Sequence, residues 1–443
     1  MASHKTSILP VCPDATQLLL NARARTRMTR IKPIAGLMLL LVAPVSAQEA
    51  VRMSLASAEA EEARRKAATT LGYYNLQAGP TAWNFGVGLD LTYNDNVLLQ
   101  ESGQAGDFIF SPQANAHMLW PLTEKNSLSL SFGGGYSLYA QHSQLDRGFV
   151  NPGSELSFDL YVGDYWLNLH DRLSVSQNSY QDPTVTGTGN YSLLQNAMGL
   201  AGTWDLNKII LRNGYDHLNY DTLSGEALGG QGQPSGQSEI FSGSAGYQFA
   251  PGREAGLEVG GSIMHFSNTG TNTLFSDATQ WNAGVFCETV LSQYVHFRGS
   301  AGYTQFSPEA HGQNHVSDFG GVYAQLSLQH RVNQYIDYTL SGGRSINFSF
   351  FGGTIDLYEA AWQIQWHVLK GFTLATILNY DHGAQAVGFG ENFSRYGGGL
   401  SLGRHLSAKL SGTLAYQFYW RSSDLQDRDY LANILSLSFV YTF

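Results

Sequence analysis

The segment LSLSFVYTF, residues 435–443, alternates apolar and polar side chains from one position to the next. In an extended strand, neighbouring side chains point to opposite faces, so this alternation separates an apolar row from a polar row. The apolar row consists of Leu435, Leu437, Phe439, Tyr441 and Phe443. The segment therefore predicts a strand with one lipophilic face and one wet face, and the rest of the chain decides what kind of sheet contains it.

The composition of the chain narrows the choice of sheet. Of 443 residues, 14% are charged, where about 25% is usual in soluble domains. Aromatic residues reach 12%, there are 49 Gly, and the mean hydropathy is −0.18, which is too polar for a helical membrane protein. These values are typical of a sheet that contacts water on one side and lipid on the other, although a secreted β-solenoid or adhesin shares part of this profile. The formal net charge of −10 argues against a nucleic-acid partner.

The N-terminus has the order of features found in a secretory signal peptide. A basic region precedes the apolar stretch IAGLMLLLVA, and the small-residue motif VSA ends at Ala47. We therefore predict a signal peptide over 1–47, with Met28 as an alternative start. Residues 48–82 are predicted to form a periplasmic extension that is partly helical over 51–71. This helical segment is either a solvated extension or a periplasmic contact or plug.

From Trp83 onward the alternation of LSLSFVYTF recurs without a break. WNFGVGLDLTY, residues 83–93, is an early example, and rows of this kind often begin or end on an aromatic residue, as at an interfacial girdle. Eighteen such segments can be counted, an even number as single-chain bacterial barrels require. Their approximate spans are 83–94, 107–120, 127–139, 150–162, 165–178, 192–206, 208–221, 236–249, 254–266, 277–291, 294–306, 318–332, 334–348, 354–368, 372–382, 392–404, 408–421 and 430–443.

The connections between these segments alternate in length. Short turns such as GD at 163–164 follow the even-numbered segments, and long polar loops such as QNSYQDPTVTGTGN follow the odd-numbered ones. Tight turns on one rim and long loops on the other are typical of an outer-membrane barrel. The fold class is therefore predicted to be all-β: a single closed antiparallel transmembrane β-barrel of about 18 strands over 83–443, with a short N-terminal helix before it.

This fold implies a location and a set of partners. We expect the chain in the outer membrane of a Gram-negative bacterium, in contact with outer-membrane lipid and lipopolysaccharide. The segment 430–443 is predicted to close the barrel against the first strand, since a closed sheet has no unpaired edge. Phe439, Tyr441 and Phe443 are predicted to form the signal that the barrel-assembly machinery recognises.

Eighteen strands tilted by about 40° give a backbone diameter of roughly 35 Å, which side chains cannot fill. Function is therefore expected from the rows that face the lumen. The alternation predicts ten charged pore-lining residues: Arg172, Arg212, Glu258, Glu288, Arg298, Arg331, Asp337, Glu359, Arg395 and Arg421. Asp171 breaks the pattern because it falls on the apolar row with Leu169 and Leu173, so either a bulge shifts the register there or this strand packs differently.

The sequence offers little evidence for a catalytic or metal site. The 13 His are scattered, and none accompanies a local nucleophile motif or a cluster with metal-ligand spacing. Of the two Cys, Cys12 falls within the predicted signal peptide, and Cys287 alone provides no disulfide framework. We predict that the protein is not an enzyme and binds no cofactor or metal.

The first segment ends in TYNDNVLL, residues 92–99, and this ending resembles the Y-x-D-N-V signature of the EpsL-like group of outer-membrane porins. Tyr93, Asp95, Asn96 and Val97 carry the resemblance, whereas Asn94 stands where many relatives place a second acidic residue. The resemblance implies a role in the passage or organisation of an extracellular polysaccharide. It also implies polysaccharide and periplasmic export proteins as partners.

The functional hypothesis is an outer-membrane pore for polysaccharide or other polar solutes. The alternatives are a general diffusion porin and a plugged barrel with a structural or surface-attachment role. A hydrolase built at the outer rim is a third possibility, which the scattered His disfavour.

Overall fold

The computed structural model describes residues 74–176, 192–224, 235–267, 277–309, 318–348, 354–369, 371–385 and 390–443. The predicted signal peptide and the helix predicted over 51–71 lie outside these residues. Apart from a single turn of 3₁₀ helix at Ser143–Leu145, the regular structure of the described residues is β. No helix in this part of the chain has the length and apolar character needed to cross a membrane.

Nineteen strands are present in the described residues. They are β1 (Leu76–Ala78), β2 (Thr81–Asn94), β3 (Asp107–Pro121), β4 (Ser127–Tyr139), β5 (Arg147–Val162), β6 (Tyr165–Ser176), β7 (Ser192–Asp205), β8 (Ile209–Ser224), β9 (Gly236–Ala250), β10 (Arg253–Phe266), β11 (Ala278–Ser292), β12 (Val295–Pro308), β13 (Phe319–Arg331), β14 (Ile336–Phe348), β15 (Thr354–Leu369), β16 (Phe372–Gln385), β17 (Asn392–His405), β18 (Leu410–Ser423) and β19 (Tyr430–Thr442). Each strand from β2 to β19 corresponds to one predicted segment.

The eighteen strands β2–β19 form a closed antiparallel barrel. Each pairs with its neighbours in the chain, and β19 pairs with β2, with Leu437 opposite Leu91. We call this β19–β2 junction the seam. The prediction of a closed antiparallel barrel of 18 strands is thus confirmed, and closure leaves no sheet edge unpaired among these strands.

The additional strand β1 lies just before the barrel. It pairs with the start of β2, with Leu76 opposite Trp83, through a tight turn in which Gly79 adopts a φ of 59°. Glycine, which has no Cβ, takes this left-handed conformation at little cost. The sheet consequently begins before Trp83, the residue at which the barrel was predicted to start.

The barrel has an apolar outside and a polar inside. Large apolar side chains such as Val87, Val285 and Leu400 are exposed on the outer surface, whereas Asp381 and Arg395 are buried inside. In lipid, a spanning structure must satisfy its backbone hydrogen bonds internally, and a closed barrel does so. Since barrels of this construction with an apolar outer surface belong to outer membranes, the protein is located in the outer membrane of a Gram-negative bacterium.

The two rims of the barrel differ in the length of their connections. At one rim, two to five residues connect successive strands, and Gly163, Asn207 and Gly252 adopt positive φ values in these turns. At the other rim the connections are mostly longer, as between β2 and β3. The rim with short turns is the periplasmic one in barrels of this kind, and the other is extracellular.

Candidate functional site

The lumen is the candidate functional site. All ten charged residues predicted to line it lie on inward-facing rows: Arg172, Arg212, Glu258, Glu288, Arg298, Arg331, Asp337, Glu359, Arg395 and Arg421. Their role in conducting solutes remains a prediction. Their surroundings differ along the barrel, from wet to fully buried.

Most of these charges belong to ion pairs between strands. Arg298 Nη1 lies 3.3 Å from Glu288 Oε2, and Arg331 Nε lies 3.0 Å from Asp337 Oδ1. Two further Arg side chains make two hydrogen bonds each to a carboxylate: Arg212 to Glu254 at 2.5 and 2.9 Å, and Arg395 to Asp381 at 2.8 and 2.6 Å. The inner wall therefore carries adjacent charges of both signs and no ring of one sign among the described residues.

Glycines on the inner wall allow side chains to reach across intervening strands. Tyr323 of β13 lies over Gly302 and Gly284, and its hydroxyl donates to Glu258 Oε1 of β10 at 2.5 Å. A Cβ on Gly302 would collide with the Ala283 carbonyl oxygen and with the Tyr323 ring. In the sequence, the many Gly on polar rows are the signal that indicates such contacts. The residues that make them, such as Tyr323 and Glu258, lie on non-adjacent strands, so the sequence did not predict their pairing.

A second contact of this type involves a histidine. His170 of β6 reaches across Gly199 of β7, and its Nε2 lies 2.7 Å from Asp216 Oδ1 of β8. The alternation of the sequence does not connect these two residues, because β6 and β8 are not adjacent strands.

A buried charge cluster occupies the extracellular end of the wall beside the seam. Glu391, just before β17, accepts a hydrogen bond from Arg428 Nη1 at 2.6 Å, and Arg421 Nη2 lies 2.9 Å from its other oxygen. The side chains of Arg421 and Glu391 are 0% and 2% exposed, so this pair is dry. The Arg421 guanidinium also lies 4.1 Å from the centre of the Phe393 ring. We call Glu391, Arg421 and Arg428 the Glu391 cluster.

The connection between β2 and β3 folds into the lumen beside this cluster. Leu99 is buried against Tyr430 and Ala432 of β19, whose side chains face inward. On the other side of the connection, Val97 packs against Tyr139 and Leu145. The connection therefore narrows the extracellular mouth of the barrel on the seam side.

The residues that resemble the EpsL-like signature hold this connection in place. Asn96 is fully buried; its Nδ2 donates to the carbonyl oxygens of Gln100 and Leu431, and its Oδ1 accepts from the Gln100 N–H. Asp95 accepts hydrogen bonds from the backbone N–H and Nδ2 of Asn433 at 2.6 and 2.7 Å.

Tyr93, also part of the signature, faces outward, and its ring centroid lies 4.8 Å from that of Phe108. The described contacts of the signature residues thus join the first strand to its neighbours and fix the inward-folded connection.

The connection between β18 and β19 is fixed to the wall by Asp424. Asn392 donates from its Nδ2 and its backbone N–H to the two Asp424 carboxylate oxygens at 2.9 and 2.8 Å. Hydrogen bonds from the Asn392 side chain, and then from its backbone, lower the pKa of the Asp424 carboxyl below its usual value.

At the periplasmic end of the lumen, one ion pair is exposed to water, whereas other inward side chains such as Trp166 and Asp159 are buried. Near the periplasmic rim the side chains of Arg331 and Asp337 are 65% and 33% exposed. At the seam, the inward row of β19 carries small polar side chains such as Ser436 and Ser438. Within the described residues, no group of three or more His, Cys, Asp or Glu side chains could hold a metal ion. The inner wall thus has an exposed ion pair near its periplasmic end and an inward-packed connection at its extracellular end.

The structure also resolves the position of Asp171. The pairing of β6 with β7 continues without interruption through Asp171, so no bulge shifts the register there. Its side chain faces outward on the lipid side, where it accepts a hydrogen bond from Asn196 Nδ2 at 2.6 Å.

Comparisons with known proteins found likeness only among solved structures. No family model and no curated protein matches the chain. The crystal structure of OccK2 (OpdF) from Pseudomonas aeruginosa is 13% identical, with a TM-score of 0.47 over 82% of this chain and 98% of that one. The outer membrane protein OpdK from Pseudomonas aeruginosa is 13% identical, with a TM-score of 0.45 over 82% and 99% of the two chains. OccAB3 from Acinetobacter baumannii is 10% identical, with a TM-score of 0.45 over 82% and 99%. At these scores the assignment of the barrel depends on the strand pairing of this chain itself.

Proposed function

We propose that the protein is an outer-membrane pore for small polar solutes, with its extracellular mouth narrowed on the seam side. The observation that carries the proposal is the contrast between two inward ion pairs, the exposed Arg331–Asp337 pair near the periplasmic rim and the dry Glu391 cluster at the extracellular end. The exposed pair near the periplasmic rim supports entry of water into the barrel. The packed connections at the other end support a size limit on what passes.

The charge pattern of the lumen supports neutral or zwitterionic solutes. Because each of Arg212, Arg298 and Arg331 lies beside a carboxylate, their fields largely cancel at a distance. A strongly ion-selective filter would instead use a ring of one sign. We therefore expect weak ion selectivity in the wild-type pore.

Single-channel recording of the refolded protein in a planar bilayer tests the proposal. We expect steady conductance from the wild type and a larger conductance from Glu391→Ala, since this substitution releases the Glu391 cluster at the narrowed mouth. Asp337→Ala, at the wet end, serves as the matched control and should leave the conductance level nearly unchanged. Silent bilayers with a correctly folded protein would contradict the pore and favour the plugged structural or surface-attachment barrel.

A general diffusion porin differs from the proposed pore in how it treats solute size and shape. In liposome-swelling assays a general porin passes sugars at rates that fall smoothly with size. A narrowed mouth should instead exclude disaccharides that the Glu391→Ala variant admits. Equal size dependence in the two proteins would favour the general porin.

The finer proposal, passage of a polysaccharide, is supported by the resemblance at Tyr93, Asp95, Asn96 and Val97. Buried Asn96 and hydrogen-bonded Asp95 have contacts that account for these residues without a glycan. A deletion strain with unchanged surface polysaccharide would reject this proposal and leave the small-solute pore intact. Partnership with lipopolysaccharide, the assembly machinery and periplasmic export proteins, and the absence of enzymatic activity, remain predictions.

A further inference from the structure

One buried carboxylate of the inner wall lacks the cation that its neighbour has. Glu258 of β10 faces the lumen side of the wall and is 3% exposed. Within the described residues it forms no direct ion pair with an Arg, Lys or His side chain. Glu254, four residues earlier on the same inward row, has both carboxylate oxygens bonded to Arg212, at 2.5 and 2.9 Å. A buried carboxylate is unfavourable unless charge or hydrogen-bond donors compensate it.

Tyr323 and Asn282 determine which oxygens beside this carboxylate are left without a partner. The Tyr323 hydroxyl donates its single hydrogen to Glu258 Oε1 at 2.5 Å. Because that hydrogen is used, the Asn282 amide faces the hydroxyl as a donor, through Nδ2. In the described part of the chain, Glu258 Oε2 and Asn282 Oδ1 have no hydrogen-bond partner. Arg298 and Ser300 of β12 also attract the carboxylate, but neither donates to Oε2.

A third unpartnered oxygen lies on the same strand. Ser262 is 2% exposed, and its Oγ has no hydrogen-bond partner among the residues that the structure describes. Gly260 lies between Glu258 and Ser262 on the inward row and has no side chain, and Asn282 of β11 is directly opposite it. The three oxygens therefore border one glycine of the inner wall. The carboxylate and amide oxygens only accept hydrogen bonds, so this group requires donors.

This part of the wall lies near the middle of the membrane. Glu258 is the sixth residue after Gly252 of the periplasmic turn. A tilted strand rises about 2.5 Å per residue along the barrel axis, which puts Glu258 about 15 Å above that turn in an apolar band of about 25 Å. A solute that crosses the lumen passes the three oxygens at this depth.

We propose that Glu258, Asn282 and Ser262 bind the ammonium group and neighbouring hydroxyls of a small polar solute, such as an amino sugar. The proposal rests on the proposed pore, because the lumen is the route by which a solute reaches this wall. An ammonium group supplies the positive charge that Glu258 lacks and N–H donors for Oε2. Hydroxyls of the same solute supply donors for the other two oxygens, whereas an anion would be repelled.

The Tyr323 side chain controls access to Glu258. It lies over Gly284 and Gly302, and a Cβ on either glycine would collide with it. Because these glycines have no side chains to hold the ring, rotation about the Tyr323 side-chain bonds moves it off the wall. The ammonium group of the solute then replaces the Tyr323 hydroxyl at the Glu258 carboxylate.

Isothermal titration calorimetry on the refolded protein in mild detergent tests the site. The probe is glucosamine at mildly acidic pH, where its amine is protonated, and glucose is the matched neutral sugar. We expect the wild type to bind glucosamine and to show no binding of glucose at the same concentrations. Glu258→Gln keeps the size of the side chain and removes its charge, so the affinity for glucosamine should fall by at least about tenfold.

Glu254→Gln is the matched control, because Glu254 lies on the same inward row but is already paired with Arg212. Its affinity for glucosamine should remain within about twofold of the wild type. Equal losses in the two variants would show that the binding depends on the general field of the lumen, and equal binding of glucose and glucosamine would show that no ammonium is recognised. Either result would overturn the proposal.

Ser262→Ala provides a second variant in case Glu258→Gln does not fold. Loss of one neutral hydrogen bond should weaken glucosamine binding by about threefold, and an unchanged affinity would reject the site. Single-channel conductance is recorded in parallel. Glucosamine binding with silent bilayers would reject the pore and retain the site, whereas steady conductance without binding would reject the site and retain the pore.

Discussion

Two sets of ion pairs in the same lumen have opposite surroundings. The Glu391 cluster at the extracellular end is dry, with Arg421 0% and Glu391 2% exposed, whereas the Arg331–Asp337 pair near the periplasmic rim is 65% and 33% exposed. In the dry cluster, removing one partner leaves an uncompensated buried charge. In the wet pair, water replaces the lost partner. Ion pairs of the same kind therefore hold connections in place at the extracellular end of the barrel and set the local electrostatic field near the periplasmic rim.

The largest expected effect is that of Glu391→Ala. It leaves Arg421 and Arg428 without their shared carboxylate, so the free energy of unfolding should fall by about 3–5 kcal/mol. Urea unfolding in lipid vesicles, followed by Trp fluorescence, measures this loss. The matched control is Asp337→Ala, for which we expect less than about 1 kcal/mol. Equal losses in the two variants would contradict the contrast between dry and wet pairs.

Asn96→Ala extends the comparison to uncharged groups. The substitution removes the three hydrogen bonds that hold the inward-folded connection, so we expect a loss toward the upper end of about 1–3 kcal/mol. Asn333, whose Oδ1 accepts from the Tyr335 and Ile336 N–H groups in an exposed periplasmic turn, provides the control Asn333→Ala. If urea unfolding shows the same loss of free energy of unfolding in both variants, burial of Asn96 is not what stabilises the inward-folded connection.

Tyr323→Phe tests a single buried hydrogen bond on the inner wall. It leaves Glu258 Oε1 without the Tyr323 hydroxyl, and we expect a loss near the lower end of about 1–3 kcal/mol. Tyr303→Phe is the control, because the Tyr303 hydroxyl donates to Gln305 at an exposed position. A larger loss from Tyr303→Phe than from Tyr323→Phe would disprove the inner-wall assignment.

Arg331→Glu is expected to have the smallest effect on stability and a clear effect on the ion selectivity of the pore. It adds negative charge at the wet end, so the reversal potential in a salt gradient should shift toward cation selectivity, while the free energy of unfolding changes by no more than about 1 kcal/mol. Arg404→Glu is the control: Arg404 faces outward over the Phe372 ring, 4.5 Å from its centre. Equal shifts in the two variants would show that position in the lumen does not set selectivity.

The sequence by itself determined the class and size of the barrel. The alternation of apolar and polar residues has the two-residue period of a strand, and connections of alternating length mark the two rims. Both signals are local, so segments such as 83–94 and 430–443 match β2 and β19 closely. They also put Arg331, Arg395 and Arg421 on inward rows.

Only the tertiary structure decided which of those residues are wet and which are dry. Arg331 and Arg421 have the same place in the alternation, yet one stands in water and the other is covered by segments distant in the chain. Leu99 against Tyr430, and Tyr323 across two glycines to Glu258, join residues that no local period connects. A two-residue period specifies the face of a sheet on which a side chain lies, whereas burial and pairing depend on what the closed barrel brings opposite that face.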